Sequence, residues 1–352
     1  MTAALCIAAL ALCAGGRLIN GFADFYIGHA NAFWVNTLGR LSSLFPFSLV
    51  EIMIYILIIS VVCWLFGMMI LICGKRKDTC LQVLRRGIIT ILFLAALVFF
   101  LFESNEAIGF YRTPFSVHYG FGSGSYSTEE LTDVCEMIAG EVNEYAGSVE
   151  RNEAGIMICG SDVRERVRNN MMRLGEEYDW LSGWYPMPKP VFISELMSYT
   201  NMAGIFSAYT MEANYNADMT QYNLPFSMSH ELTHVRGILQ ENEANFVAYL
   251  NCRKSKDADI RYAGMLAGWV YCGNELYKRD RDLWEELYNT LDERAKTDLR
   301  ANNEFWAQYK GKVSEAAEHF NDSYLKSHGQ VEGTLSYDRV VDLIVSAEQA
   351  SF

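Results

Sequence analysis

Residues 52–73, IMIYILIISVVCWLFGMMILIC, form 22 consecutive positions without a charge. A helix rises about 1.5 Å per residue, so this run reaches about 33 Å, enough to cross a hydrocarbon core of about 30 Å. A core helix of a water-soluble domain keeps a polar face, and this run has none. A second run, 87–102 (GIITILFLAALVFFLF), ends at Glu103 and reaches both interfaces with help from its flanks. A third, 2–16 (TAALCIAALALCAGG), is stopped by Arg17. No basic residue precedes it, so a retained span is expected over a cleaved signal peptide. The expectation is a membrane region over 1–103 with about three transmembrane helices, at about 2–22, 52–73 and 87–103.

The loop between the second and third spans sets their direction. Residues 74–86 carry Lys75, Arg76, Lys77, Arg85 and Arg86 against Asp78 alone. A short loop this basic stays in the cytoplasm. The span over 87–103 then runs outward and places 104–352 outside the cytoplasm. Charge divides at the same point: 1–103 hold seven Lys/Arg and four Asp/Glu, whereas 104–352 hold 22 and 38. Nucleic acid is excluded as a partner of so acidic a domain, because phosphate binding needs a basic face.

The outer portion reads as α+β and mostly helical. Ser127 and Glu130 form a capping-box pattern before Leu131, Val134, Ile138 and Val142 at helical spacing. VFISEL (191–196) reads as a strand, and GIFSAYTMEANYN (204–216) as one or two extended segments. From Pro225 onward the pattern is helical. Cys135, Cys159, Cys252 and Cys272 fall in this portion and allow three disulfide connectivities, or free buried thiols.

Chemistry concentrates at residues 230–234, HELTH. Chance places such a pattern in a chain of this composition about 0.008 times. Pro225 suits the first turn of a helix and Gly237 its left-handed end, so the motif sits on a helix of about three turns. His230 and His234, four apart, project from one face and can share a Zn²⁺ ion. Glu231 points about 100° away, unsuited to ligation beside them but able to accept a proton from a water that the ion acidifies. A catalytic zinc takes three protein ligands. ENEAN (241–245) offers Glu241 or Glu243; they point about 200° apart, so only one faces the metal. Glu241 shares a face with Asn245, which can orient a ligand histidine.

HELTH followed by a glutamate on a later helix resembles gluzincin-type zinc metallopeptidases. In those enzymes the ligand glutamate begins a Glu-x-x-Ala/Ser-Asp/Asn pattern, which Glu241, Ala244 and Asn245 match. The resemblance implies a zincin-like domain with His230, His234 and Glu241 as ligands and Glu231 as general base. FPFSLVE (45–51), FYRTPF (110–115), MSYTNMAGIFSAYTMEANYN (197–216), LPFSMSHELTHVRGILQENEANFVAYL (224–250) and NDSYLKSHGQVEGTLSYDRVVDLI (321–344) together resemble the bacterial domain-of-unknown-function 3810 family. That resemblance implies a membrane metallopeptidase and supplies no substrate.

Hydrolysis also needs a donor for the tetrahedral oxyanion. Tyr337 is the first choice, with Tyr324, His328 and His319 as alternatives. The segment 204–216 is either a substrate-binding edge strand or a core strand. The expected protein is therefore a multi-pass, membrane-anchored zinc peptidase acting on a peptide or protein. The rivals are a non-catalytic zinc-binding or sensor protein and an amidase acting on cell-wall peptides.

Overall fold

The computed structural model of the chain describes residues 1–122, 124–328, 330 and 339–349. Helix α1 (Thr2–Leu18) ends where Ile19 turns extended, and Gly21, at φ 75°, starts α2 (Phe22–Trp34). The span expected over 2–22 is thus a helix of 17 residues, about 26 Å long and short of a bilayer core. α2 continues through a wide turn, Val35–Gly39, into α3 (Arg40–Ser42). α4 (Leu49–Cys73) and α5 (Lys77–Asn105) are long and apolar enough to cross a membrane. None of the apolar window of α4 is buried by the protein, so it is not a core helix.

The rest of the chain is mostly helical. α6 (Phe115–Tyr119) leads to α7 (Thr128–Ala146), whose capping box between Ser127 and Glu130 forms as the sequence predicts, and to α8 (Val163–Glu177). A small sheet follows. β1 (Lys189–Pro190) pairs parallel to β3 (Glu212–Tyr215), and β2 (Gly204–Ser207) pairs antiparallel to β3 from Gly204↔Tyr215 to Ser207↔Glu212. The order β1-β3-β2 leaves β2 at an edge. The strand expected over 191–196 does not form. The Glu51 carboxylate accepts from Phe192 N at 2.8 Å and Ile193 N at 3.1 Å, which removes both donors from any ladder, and Ser194–Tyr199 becomes the short helix α9.

Behind the sheet pack α10 (Asn223–Val235), α11 (Glu241–Arg253) and α12 (Ala258–Arg279), with α13 (Arg281–Thr290), α14 (Glu293–Ala307), α15 (Lys312–Ser327) and α16 (Val340–Gln349) completing the fold. One apolar core joins α7, α8, α10, α11, α12 and α16 through fully buried residues such as Ile138, Met171, Leu232, Phe246 and Met265. Cys135, Cys252 and Cys272 lie buried in it, and all nine cysteines are free thiols.

The sheet is tied to the start of α4 and the end of α5. Glu212 of β3 is fully buried, and its carboxylate accepts from Leu49 N at 2.9 Å and Val50 N at 3.0 Å, two of the unpaired donors that begin α4. Thr210 Oγ1 also donates to it, at 2.7 Å, and the buried Lys189 ammonium neutralises it. Asn105, the last residue of α5, donates to Ala208 O at 2.9 Å in the turn after β2.

Candidate metal centre

The motif lies on α10 as its spacing predicts. Pro225 occupies the first turn, where a missing N–H costs nothing, and Gly237 closes the helix at φ 71°, a left-handed conformation that suits glycine. The turn brings the start of α11 back over the end of α10. His230 Nε2 and His234 Nε2 face each other at 2.9 Å. Glu241, the first residue of α11, reaches both: Oε2 lies 3.2 Å from His230 Nε2 and Oε1 lies 3.8 Å from His234 Nε2. A ligand atom from each residue falls within 4.8 Å of the other two. A tetrahedral zinc with bonds of about 2.0–2.1 Å separates its ligand atoms by about 3.3–3.4 Å, so the set fits such an ion after shifts of about half an ångström.

The other ring nitrogens have partners of their own. His230 Nδ1 lies 2.8 Å from Asn245 Oδ1 and His234 Nδ1 lies 2.8 Å from Ile238 O. Each contact favours the neutral tautomer that leaves Nε2 without a proton. Glu243 turns away. Its carboxylate accepts from Ser116 N at 2.8 Å and Ser116 Oγ at 2.9 Å, which fastens α11 to α6. Of the two glutamates left open by the sequence, Glu241 is the one that joins the histidines.

Glu231 is 5% exposed, and its Oε2 has no hydrogen-bond partner among the described residues. A buried carboxylate oxygen without a donor is costly in a folded chain. Gly204, at the head of β2, lies against this carboxylate: a Cβ built there would stand 2.4 Å from Glu231 Oε1. Burial pushes the Glu231 carboxyl up to about 8, with the Glu241 and Glu106 charges adding to the rise and His230 opposing it. His234 is pushed down to about 4, by burial and then by the His230 charge. His230 moves the other way, to about 9: burial alone would lower it, but the hydrogen bond and charge of Glu241 outweigh that.

Two further side chains reach the site from outside the motif. Tyr324 of α15 donates its hydroxyl to Glu106, just beyond α5. Burial and then the Glu106 charge raise the phenol well above its ordinary value, and Glu241 and Tyr209 act in the same direction. Tyr324 therefore stays a donor. Tyr337 lies outside the described residues. His319 is exposed on α15. His328 is half-buried against Phe102, Phe110 and Tyr324, with Nδ1 2.9 Å from Tyr324 O.

Sequence reasoning missed Glu106 and Gly204. The one available signal for Glu106 was an acid lying three residues beyond Glu103, after an apolar run that leaves it no obvious partner.

The sequence matches, over residues 26–345, the family described as "Protein of unknown function (DUF3810)". No curated protein and no solved structure matches it.

Proposed function

The chain belongs to the DUF3810 family, and we propose that this member is a membrane-anchored zinc metallopeptidase with its zincin-like domain outside the cytoplasm. The observation that carries the reading is the meeting of His230, His234 and Glu241 beside the partnerless, buried carboxylate of Glu231. His230, His234 and Glu241 would hold the ion, with Asn245 and Ile238 fixing the rings. Zinc in such a site polarises a peptide carbonyl and acidifies water. Glu231 accepts the proton of the attacking water and returns it to the departing amine, a role that suits a carboxyl raised toward neutrality. Tyr324, kept protonated, would donate to the developing oxyanion once its hydroxyl swings from Glu106. The edge of β2 receives the peptide backbone as an added strand, starting beside Glu231.

Three protein ligands among the described residues favour catalysis over a structural role. A structural zinc is closed by four, and Glu243, the nearest further carboxylate in the sequence, is committed to Ser116. The membrane reading rests on the uncovered apolar surface of α4 and on the basic loop before α5. Reporter fusions at Lys77 and at the C-terminus are expected on opposite sides of the membrane; the same side for both overturns the orientation.

The mechanism is tested with Glu231→Gln. Hydrolysis of any peptide that the wild-type chain cleaves should vanish while one zinc per chain is retained. Surviving hydrolysis removes Glu231 as the base.

A further inference from the structure

A groove of about 450 Å³ lies between the first turns of α4 and the edge strand β2. Val50, Ile54 and Tyr55 form one wall, and Ile205, Ser207 and Tyr209 form the other. Its lining is almost wholly apolar. The one charged member, Glu51, is engaged by the backbone of Phe192 and Ile193.

The height of this groove is fixed by the same hydrogen bonds. Glu51 immediately precedes the uncharged run 52–73, and it holds Phe192 N and Ile193 N. The segment that follows cannot stand far above the level at which the run begins. It exposes Phe192 at 66%, Leu196 at 60% and Ile193 at 49%, with Tyr199 and Met202 also uncovered. Phe47, next to α4, packs against Phe192 with ring centres 6.3 Å apart. An apolar, aromatic-rich patch joined to the side of a membrane-length helix belongs in the outer leaflet boundary. The groove therefore opens onto lipid at its α4 end.

One wall of the groove, β2, runs on past it to the metal centre. Ser207 pairs with Glu212, which holds the first turn of α4, whereas Gly204 lies against Glu231. Three strand steps of about 3.3 Å separate them, so the Glu231 carboxylate stands roughly 10 Å along β2 from the head of α4. The phenol of Tyr209, also in the groove wall, is raised above its ordinary value by burial and then by the nearby Glu106 carboxylate.

We infer that this groove receives an extended, apolar stretch of polypeptide as it leaves the bilayer. The substrate class is then a membrane-anchored polypeptide cut within a few residues of the outer leaflet. The inference rests on the peptidase reading for the cut, but not for the binding.

The test uses the full chain carrying Glu231→Gln, in phosphatidylcholine vesicles, with benzoylphenylalanine replacing the exposed Ile205. The probes are two synthetic peptides that share a Leu/Ala transmembrane segment, one continuing outward in an apolar tail and the other in a Gly/Ser tail. Light should attach the apolar-tailed probe at least tenfold more than the polar-tailed one. Met202→Asp, an exposed change that leaves the melting temperature unaltered, should cut that yield at least tenfold. Equal labelling of both tails, adducts with phosphatidylcholine alone (an acyl-chain site), or adducts only with a second copy overturn the proposal. A parallel assay with the zinc-loaded wild-type chain separates the two claims. Labelling without cleavage leaves the groove standing and removes the peptidase. Cleavage of the free apolar tail as fast as the anchored one leaves the peptidase standing and removes the membrane-anchored substrate.

Discussion

The two glutamates that open α11 give the sharpest test of the centre, because they lie two residues apart and the structure assigns them opposite work. Glu241 places its oxygens 3.2 and 3.8 Å from the two Nε2 atoms. Glu241→Gln keeps the shape but removes the anionic donor. Loss of a residue that merely orients a ligand costs about 10–100-fold in metal affinity, so loss of a ligand carboxylate should cost at least about 100-fold, or about 2.7 kcal/mol. Glu243→Gln instead weakens the two Ser116 bonds and the Asn242 bond at 3.0 Å. Hydrogen bonds to a charged group contribute about 1.5–3 kcal/mol each, so stability should fall by roughly 2–3 kcal/mol. Zinc affinity should stay within about threefold, since no ligand has moved.

The same variants differ in their protons. Zinc takes neutral imidazole, and His234 is already neutral at pH 7 because it is pushed down to about 4. His230 is held protonated up to about 9, burial being outweighed by Glu241. The zinc-bound state therefore carries one proton fewer below pH 9. Affinity should rise about tenfold per pH unit from about 7 to 9 and then level off. In Glu241→Gln the main support for the proton is gone, so the levelling moves to lower pH. Competition with a fluorescent chelator across pH reads the slope, and titration calorimetry in two buffers of different ionisation heat counts the released protons. Equal loss of zinc in both variants, or an unchanged slope in Glu241→Gln, would refute the assignment.

Gly204→Ala would place a Cβ 2.4 Å from Glu231 Oε1 and push the carboxylate about 1 Å away. Such a misplacement costs about 10²-fold in turnover, with zinc affinity unchanged, and full activity would show that the carboxylate is not held where it acts. Tyr324→Phe removes the donor while keeping the ring; kcat should fall about 10²-fold with KM and zinc little altered, and a change confined to KM argues against oxyanion contact. Glu212→Gln strands the buried Lys189 charge and weakens the cap on α4. It should cost about 3–5 kcal/mol in unfolding experiments in detergent, and combining it with Lys189→Met should restore most of the loss.

Much of the centre was legible because helix geometry is short-range. A spacing of four fixes His230 and His234 on one face whatever the rest of the chain does, and the same rule pairs Glu241 with Asn245. What the sequence concealed depends on contacts between distant segments. VFISEL carries strand-forming residues, yet a carboxylate more than a hundred positions earlier takes its backbone donors. Tyr324 is brought to the site beside Glu106, 218 residues away, and Gly204 has meaning only beside Glu231. The first apolar run fell short for a local reason: Gly21 turns the chain at φ 75°, and Phe22 folds back onto Gly15, where a Cβ would meet its ring at 2.6 Å.

The division at residue 103 separates composition better than it separates structure. Leu49 and Val50 donate to a carboxylate of the sheet, Glu51 holds the loop before α9, and Asn105 holds the turn after β2. Each bond runs from the end of a long apolar helix to a segment that frames β2. Were those helices only tethers, a flexible linker would serve, and a buried glutamate spent on their first turn would be an expense without return. Joined in this way, α4 acts as a ruler: its first turn fixes Glu212, Glu212 fixes the register of β2, and β2 fixes the approach to Glu231. The distance between the head of an apolar helix and the Glu231 carboxylate is thus built into four residues of strand.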